Sequence, residues 1–180
     1  ILNLVQGGLG MPDRDYYLST DPKLVDTRAK YLTHLTNVLT LAGETDAAAR
    51  AKAILDLETR IAKAHWTRAD SRDADKTYNK FTVAQLKKRA PGFDFSGFFG
   101  AISPKIAEVL VAQPSAFTGE AAAIAKAPLS VLKDQLLVRS IDSYAPYLPR
   151  KFDDERFSFA GTVGEPEPAA SEHARVRGQR

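Results

Sequence analysis

The chain has 180 residues, 44% of them apolar and 26% charged, with no cysteine, a formal charge of +3 and a sequence pI near 9.1. That is enough apolar mass to bury a core in one domain of ordinary size. The missing cysteines exclude disulfides, thiolate metal sites and cysteine nucleophiles. No run of eighteen apolar residues could span a bilayer, and the first residues lack the blocks of a signal peptide. The chain begins at Ile1 and not at Met, which fits an excised or processed segment. Basic and acidic residues alternate except at Lys87-Lys88-Arg89, a run too short for a nucleic-acid footprint and read as a solvated helix face.

In chain order, Ile1 to Val5 is a short apolar segment with strand character whose pairing partner is expected to be missing. Gly7-Gly8-Leu9-Gly10-Met11-Pro12 must then bend. Three glycines permit positive φ, and Pro12 fixes its own φ and removes a donor. The two tyrosines that follow, Tyr16 and Tyr17, bring large apolar rings with a polar tip that needs a partner when buried. The turn is therefore expected to anchor aromatic rings against helices. A phosphate loop is excluded because the third glycine of G-x-G-x-x-G would fall at Asp13.

Asp21 reads as an N-cap and Pro22 as the first residue of a long helix, with Leu24, Tyr31, Leu35, Val38 and Leu39 at helical spacing until Gly43. A second long helix is predicted from about Asp46 to Trp66, with Ile54, Leu57 and Ile61 on one face. The short connection makes it an antiparallel neighbour of the first. Residues 67–80 lose the apolar period and read as a charged surface loop anchored by Tyr78. Thr82 caps a short helix ending before Pro91. Asp94 caps another that wedges phenylalanines into the core.

The segment Ile106 to Gln113 is the best interior strand, ended by Pro114. A helix begins at Ser115 or Thr118, and Pro128 opens a long amphipathic helix that ends near Pro146 and Pro149. After Phe159 the composition turns to Gly, Pro, Glu and Arg, so residues 160–180 are expected to form a poorly ordered tail. The fold class is mainly α: long antiparallel helices plus short ones, with at most one or two short strands.

Catalytic chemistry is hard to assemble from this inventory. None of His34, His65 and His173 is followed by Glu, so there is no His-Glu-x-x-His helix. His34 reads as a packed or half-exposed histidine, and His65 as a helix-end residue facing the macrodipole. The acids Asp70, Asp73 and Asp75 do not make an EF-hand: counting from Asp73, Tyr78 takes the glycine position and Ala84 the bidentate glutamate position. No G-x-S-x-G elbow occurs.

The segment Gly8 to Tyr17, Gly-Leu-Gly-Met-Pro-Asp-Arg-Asp-Tyr-Tyr, resembles the signature of the N-terminal domain of neprilysin and endothelin-converting-enzyme type zinc metallopeptidases. Later blocks agree in order: Ile54 to Ala62, Ser71-Arg72-Asp73 followed by Lys76 to Thr82, and Ser143-Tyr144-Ala145-Pro146-Tyr147-Leu148. The similarity runs over about residues 6–159.

It implies part of a two-domain helical peptidase in which this region covers the cavity and admits short peptides, while zinc is held in the C-terminal domain. The family's zinc ligands, catalytic Glu, substrate-anchoring Asn-Ala-Tyr and histidine acid match no residue here. The expectation is therefore no catalytic, cofactor-binding or metal site in this chain, and no peptidase activity when it stands alone. Zinc belongs to the intact family enzyme and is bound by none of these residues. The implied partners are the C-terminal catalytic domain and peptide substrates, with no nucleic acid. The implied location is periplasmic, extracellular or membrane-anchored, and bacterial. The alternative is an inactive helical module that binds another protein or itself.

Overall fold

The structure is a computed structural model that describes residues 2–91, 93–103 and 105–163. The chain divides into two units, each assembled from separated segments. One comprises Ile1–Leu18 with Asp56–Pro128, the other Ser19–Leu55 with Leu129–Arg180. The mainly helical expectation is borne out, but its limit of one or two short strands is corrected: the described residues hold three, joined in one sheet.

The first unit holds a three-stranded sheet and short helices. Strand β1 (Leu2–Leu4) pairs in parallel with β3 (Glu108–Val111), and β2 (Lys80–Thr82) pairs antiparallel with the other edge of β3. Leu2 lies opposite Val109 and Leu4 opposite Val111. The expected absence of a partner for β1 is thus corrected: a strand of only three residues gains its hydrogen bonds from one more than a hundred positions away. Central β3 buries Val109 and Val111 against Leu86, Ala90, Phe95 and Phe99. Its β-branched residues suit that pleated, covered position.

Residues 67–80 fold into α4 (Arg68–Ser71) and α5 (Ala74–Thr77), not a loop. Each carries its own cap: Thr67 accepts from the Asp70 N–H, and Asp73 from the N–H groups of Asp75 and Lys76. Such short helices have no apolar period to read, so only their caps mark them. Tyr78 is 67% exposed and anchors nothing among the described residues.

Thr82 ends β2 and caps α6 (Val83–Arg89) in a reciprocal box with Gln85. Asp94 caps α7 (Phe95–Ile102) as expected. Pro114 is the first residue of α8 (Pro114–Ala125), one residue ahead of the expected start, because a proline that cannot continue a strand is pre-set for a helix. Gly119 of α8 lies so close to Ala64 that a Cβ there would stand 2.4 Å from the alanine methyl.

In the second unit α2 (Pro22–Leu41) is capped by Asp21, whose side chain accepts from the N–H groups of Lys23 and Leu24. It closes at Gly43, which takes φ +83°, and the Glu44 N–H returns to the Leu39 carbonyl. α3 (Ala47–Ala64) gives its first turns to this unit and its last ones to the other.

Pro128 precedes α9 (Leu129–Tyr144). A 3₁₀ turn (Ala145–Tyr147) leads to α10 (Arg150–Val163). α10 packs along α2, and it carries helix past Phe159 to Val163, further than the composition of that stretch suggests. The expected tail otherwise lies outside the described residues, as does His173. Among the described residues no helix is long and apolar enough to cross a membrane.

Candidate functional site

The glycine-rich turn is the part of the first unit with the most specific chemistry. Gly8 takes φ +82°, where a side chain would be strained even though space exists beside Ile61. The Asp13 carboxylate accepts from the Asp15 N–H at 2.8 Å and starts α1 (Asp15–Leu18). That one turn of helix points Tyr17 inward, where it is 1% exposed, while Tyr16 stays half-buried.

The Tyr17 hydroxyl is fully used. It accepts from the N–H groups of Gly10 (3.0 Å) and Met11 (2.9 Å) and donates to Glu58 Oε2 at 2.8 Å. Glu58 itself is completely buried on α3. Burial, and after it the charge of Glu58, push the Tyr17 pKa well above the ordinary phenol value. The phenol stays protonated and remains the donor.

The two flanks of the turn are tied as well. Arg14 Nη1 donates to the His65 carbonyl at 2.8 Å. His65 Nε2 lies 2.7 Å from Glu120 Oε1 and 3.0 Å from the Gly7 carbonyl. The Gly7 N–H also donates to Glu120 Oε1. Gln6 completes the frame by donating to the Trp66 carbonyl and accepting the Trp66 N–H at 2.8 Å. His65 does follow the end of α3, but its Nε2 is taken by Glu120 and Gly7.

In the second unit His34 is 2% exposed on α2, between α9 and α10. Its Nε2 faces Asp142 at 3.2 Å and its Nδ1 faces Glu155 at 3.1 Å. Asn37 holds the other Glu155 oxygen at 3.0 Å, and the Phe159 ring stacks on the imidazole at 4.7 Å. Burial pulls the His34 pKa down, but the hydrogen bonds and charges of Asp142 and Glu155 outweigh it, and the net shift is upward. Arg50 makes a two-pronged pair with Asp134, at 2.9 and 2.6 Å, and also meets Glu44.

The remaining residues singled out in the sequence are accounted for locally. Asp70 accepts from Thr67 (2.7 Å) and Lys76 (2.8 Å), and Asp73 caps α5. The Lys76 and Thr67 hydrogen bonds hold the Asp70 carboxyl below its usual range. Lys87, Lys88 and Arg89 are exposed in the last turn of α6, with Arg89 over the Phe81 ring at 4.8 Å.

These residues do not fit a catalytic zinc. Among the described residues no three His, Cys, Asp or Glu side chains form a group able to hold a metal ion. The two ring nitrogens of His34 reach carboxylates on opposite sides and do not converge with another donor. His65 has no third ligand beside it.

Of the acids that complete these nodes, Glu58 lies in the block Ile54 to Ala62, while Glu120, Asp134, Asp142 and Glu155 lie in none of the blocks that carry the resemblance. One signal was available: Glu58 falls in phase with buried Ile54 and Ile61, and Asp134 in phase with buried Val138. An acid on an apolar helical face calls for a buried partner.

With this geometry in place, the comparisons with known proteins agree. The sequence model of peptidase family M13 matches residues 1–177. An endothelin-converting enzyme homologue of Locusta migratoria is 33% identical over 101 residues, 55% of this chain and 14% of the relative. Endothelin-converting enzyme 1 of Cavia porcellus is 32% identical over 104 residues, again 14% of its length.

Among solved structures, the zinc metalloprotease Zmp1 of Mycobacterium tuberculosis in its open state superposes with a TM-score of 0.84 at 31% identity. The match covers 95% of this chain and 28% of Zmp1. The inhibitor complex of the same protein gives 0.81 at 33% identity, covering 88% and 25%. The chain thus spans about a seventh of the curated relatives and about a quarter of the solved ones, and it resembles the N-terminal region of M13 zinc metallopeptidases. In sequence and in fold, the chain belongs to peptidase family M13.

Proposed function

We propose that this chain is a non-catalytic part of an M13 zinc metalloendopeptidase, a helical cover over the cavity in which peptides are cut. One observation carries the reading: the polar groups best placed for chemistry are spent on each other. Tyr17 is spent on Glu58, His65 on Glu120, His34 on Asp142 and Glu155, and Arg50 on Asp134. A catalytic acid or base must keep a free face toward substrate, and Tyr17, His34 and His65 are 6% exposed or less. Their work is to hold helices and the signature turn in place. Zinc and the groups that activate water are then supplied by M13 polypeptide outside this segment. The similarity to endothelin-converting enzymes and to Zmp1 supports peptides as the substrate class.

The test is hydrolysis of a fluorogenic peptide by the purified chain, with and without added zinc. No turnover is expected in either case. Turnover abolished by a chelator would overturn the proposal. As the positive arm, grafting residues 6–159 into the matching segment of Zmp1 should leave bound zinc at one per chain and retain peptide hydrolysis.

A second reading, a helical module that binds another protein or itself, is favoured by one feature. Leu129, Leu136 and Tyr144 on α9, with Tyr147 beyond it, are 63–81% exposed along one side. Light scattering of the purified chain separates the two, since self-association through this side gives a dimer or larger species.

A further inference from the structure

We propose that the corner formed by α6 and α7 is a peripheral docking surface for an anionic lipid bilayer. α7 is the most apolar of the helices, yet only Phe95 and Phe99 are buried. At 100° per residue, Phe95, Phe98, Phe99 and Ile102 occupy one arc about 100° wide. Half of that arc enters the core. The other half stands out, with Phe98 47% and Ile102 54% exposed, and Phe93 beside it at 41%. The outward rings adjoin: Phe93 lies 6.0 Å from Phe98, which rests 5.4 Å from the buried Phe99.

Charge supplies the second half of the argument. Residues 83–107 contain Lys87, Lys88, Arg89 and Lys105 against a single acid, Asp94. That excess of three equals the formal charge of the whole chain, so the remainder is neutral. Lys87, Lys88 and Lys105 are exposed, and Asp94 is engaged at 3.0 Å with the Gly97 N–H as helix cap. Protruding aromatic and aliphatic tips on α7, with exposed cations on the adjoining α6, suit the interface of an anionic membrane. There the rings enter the acyl boundary and the lysines meet headgroup phosphates.

The other exposed apolar side, on α9, has only Lys133 and Arg139 as basic residues on its helix, against three consecutive ones on α6. A lipid surface is therefore argued for α6 and α7 only. The inference does not depend on the chain's role in a peptidase, because neither corner helix contributes to the nodes above.

The experiment is co-sedimentation of the full chain with vesicles of phosphatidylcholine alone or of equal phosphatidylcholine and phosphatidylglycerol, over a range of salt. Binding is expected to the anionic vesicles only and to fall as salt rises. Lys87→Gln with Lys88→Gln should weaken it about twentyfold, and Phe98→Ser about tenfold, with unchanged circular dichroism. Equal binding to both vesicles, no binding at low salt, or indifference to these variants would overturn the proposal. So would lipid-free self-association that Phe98→Ser abolishes, since the face would then be a protein interface.

Discussion

The two units solve the same problem, fixing helices through a buried polar node, with opposite chemistry. In the first, the Tyr17 phenol joins the turn to Glu58 through a proton that stays in place across the working pH range. In the second, His34 joins α2 to α9 and α10 through a proton it can lose. A phenol node is indifferent to mild pH change, whereas an imidazole held by two carboxylates is not. The contribution of the Tyr17 node should therefore not change across neutral pH, and that of the His34 node should.

The largest effect is expected at the phenol. Tyr17→Phe keeps the ring but removes the hydrogen bonds to two N–H groups and to Glu58, costing about 3 kcal/mol. Trp66, the single tryptophan, lies in the same unit, so its fluorescence in urea reads that unit directly. An unchanged midpoint would show that the hydroxyl is not the lock.

His34→Gln should cost about 1–2 kcal/mol at pH 5.5 and progressively less above neutrality. The folded-state pKa lies above the ordinary 6.5. The node's contribution is thus complete below about pH 6.5 and disappears as pH rises through that higher value. Urea midpoints followed by circular dichroism at several pH values check the sign. A loss that grows with pH would contradict it.

Removing the reciprocal cap by Thr82→Ala should cost about 1 kcal/mol, visible in the same tryptophan signal. Leu136→Ser, on the open side of α9, should move stability by no more than about 0.5 kcal/mol. Its readout is size in solution: a monomer in place of a dimer would place self-association on that side, and an unchanged mass would remove it.

The difference between the units also explains what could be read from residues alone. Long periodic helices were legible: Asp21-Pro22 and Gly43 bracket α2, and the phase of Ile54, Leu57 and Ile61 gives the buried face of α3. Tyr17's need for a partner was legible too. The partner was not, because nothing local links Tyr17 to Glu58 forty-one positions away. The same holds for His34, whose two carboxylates arrive from helices more than a hundred residues later. Residues 67–80 failed for a different reason. One-turn helices show no period, and their existence depends on Thr67 and Asp73 alone.

The pairing of β1 with β3 has a consequence for how the molecule is made. Leu2 to Leu4 leave the ribosome roughly a hundred residues before their partner strand. At 5–20 residues per second the segment waits on the order of 5–20 s with its edge unsatisfied. During that interval it is an unpaired strand, open to wrong partners. Slow closure of this kind, set by chain connectivity, makes Leu2 to Leu4 a place where nascent-chain chaperoning would matter.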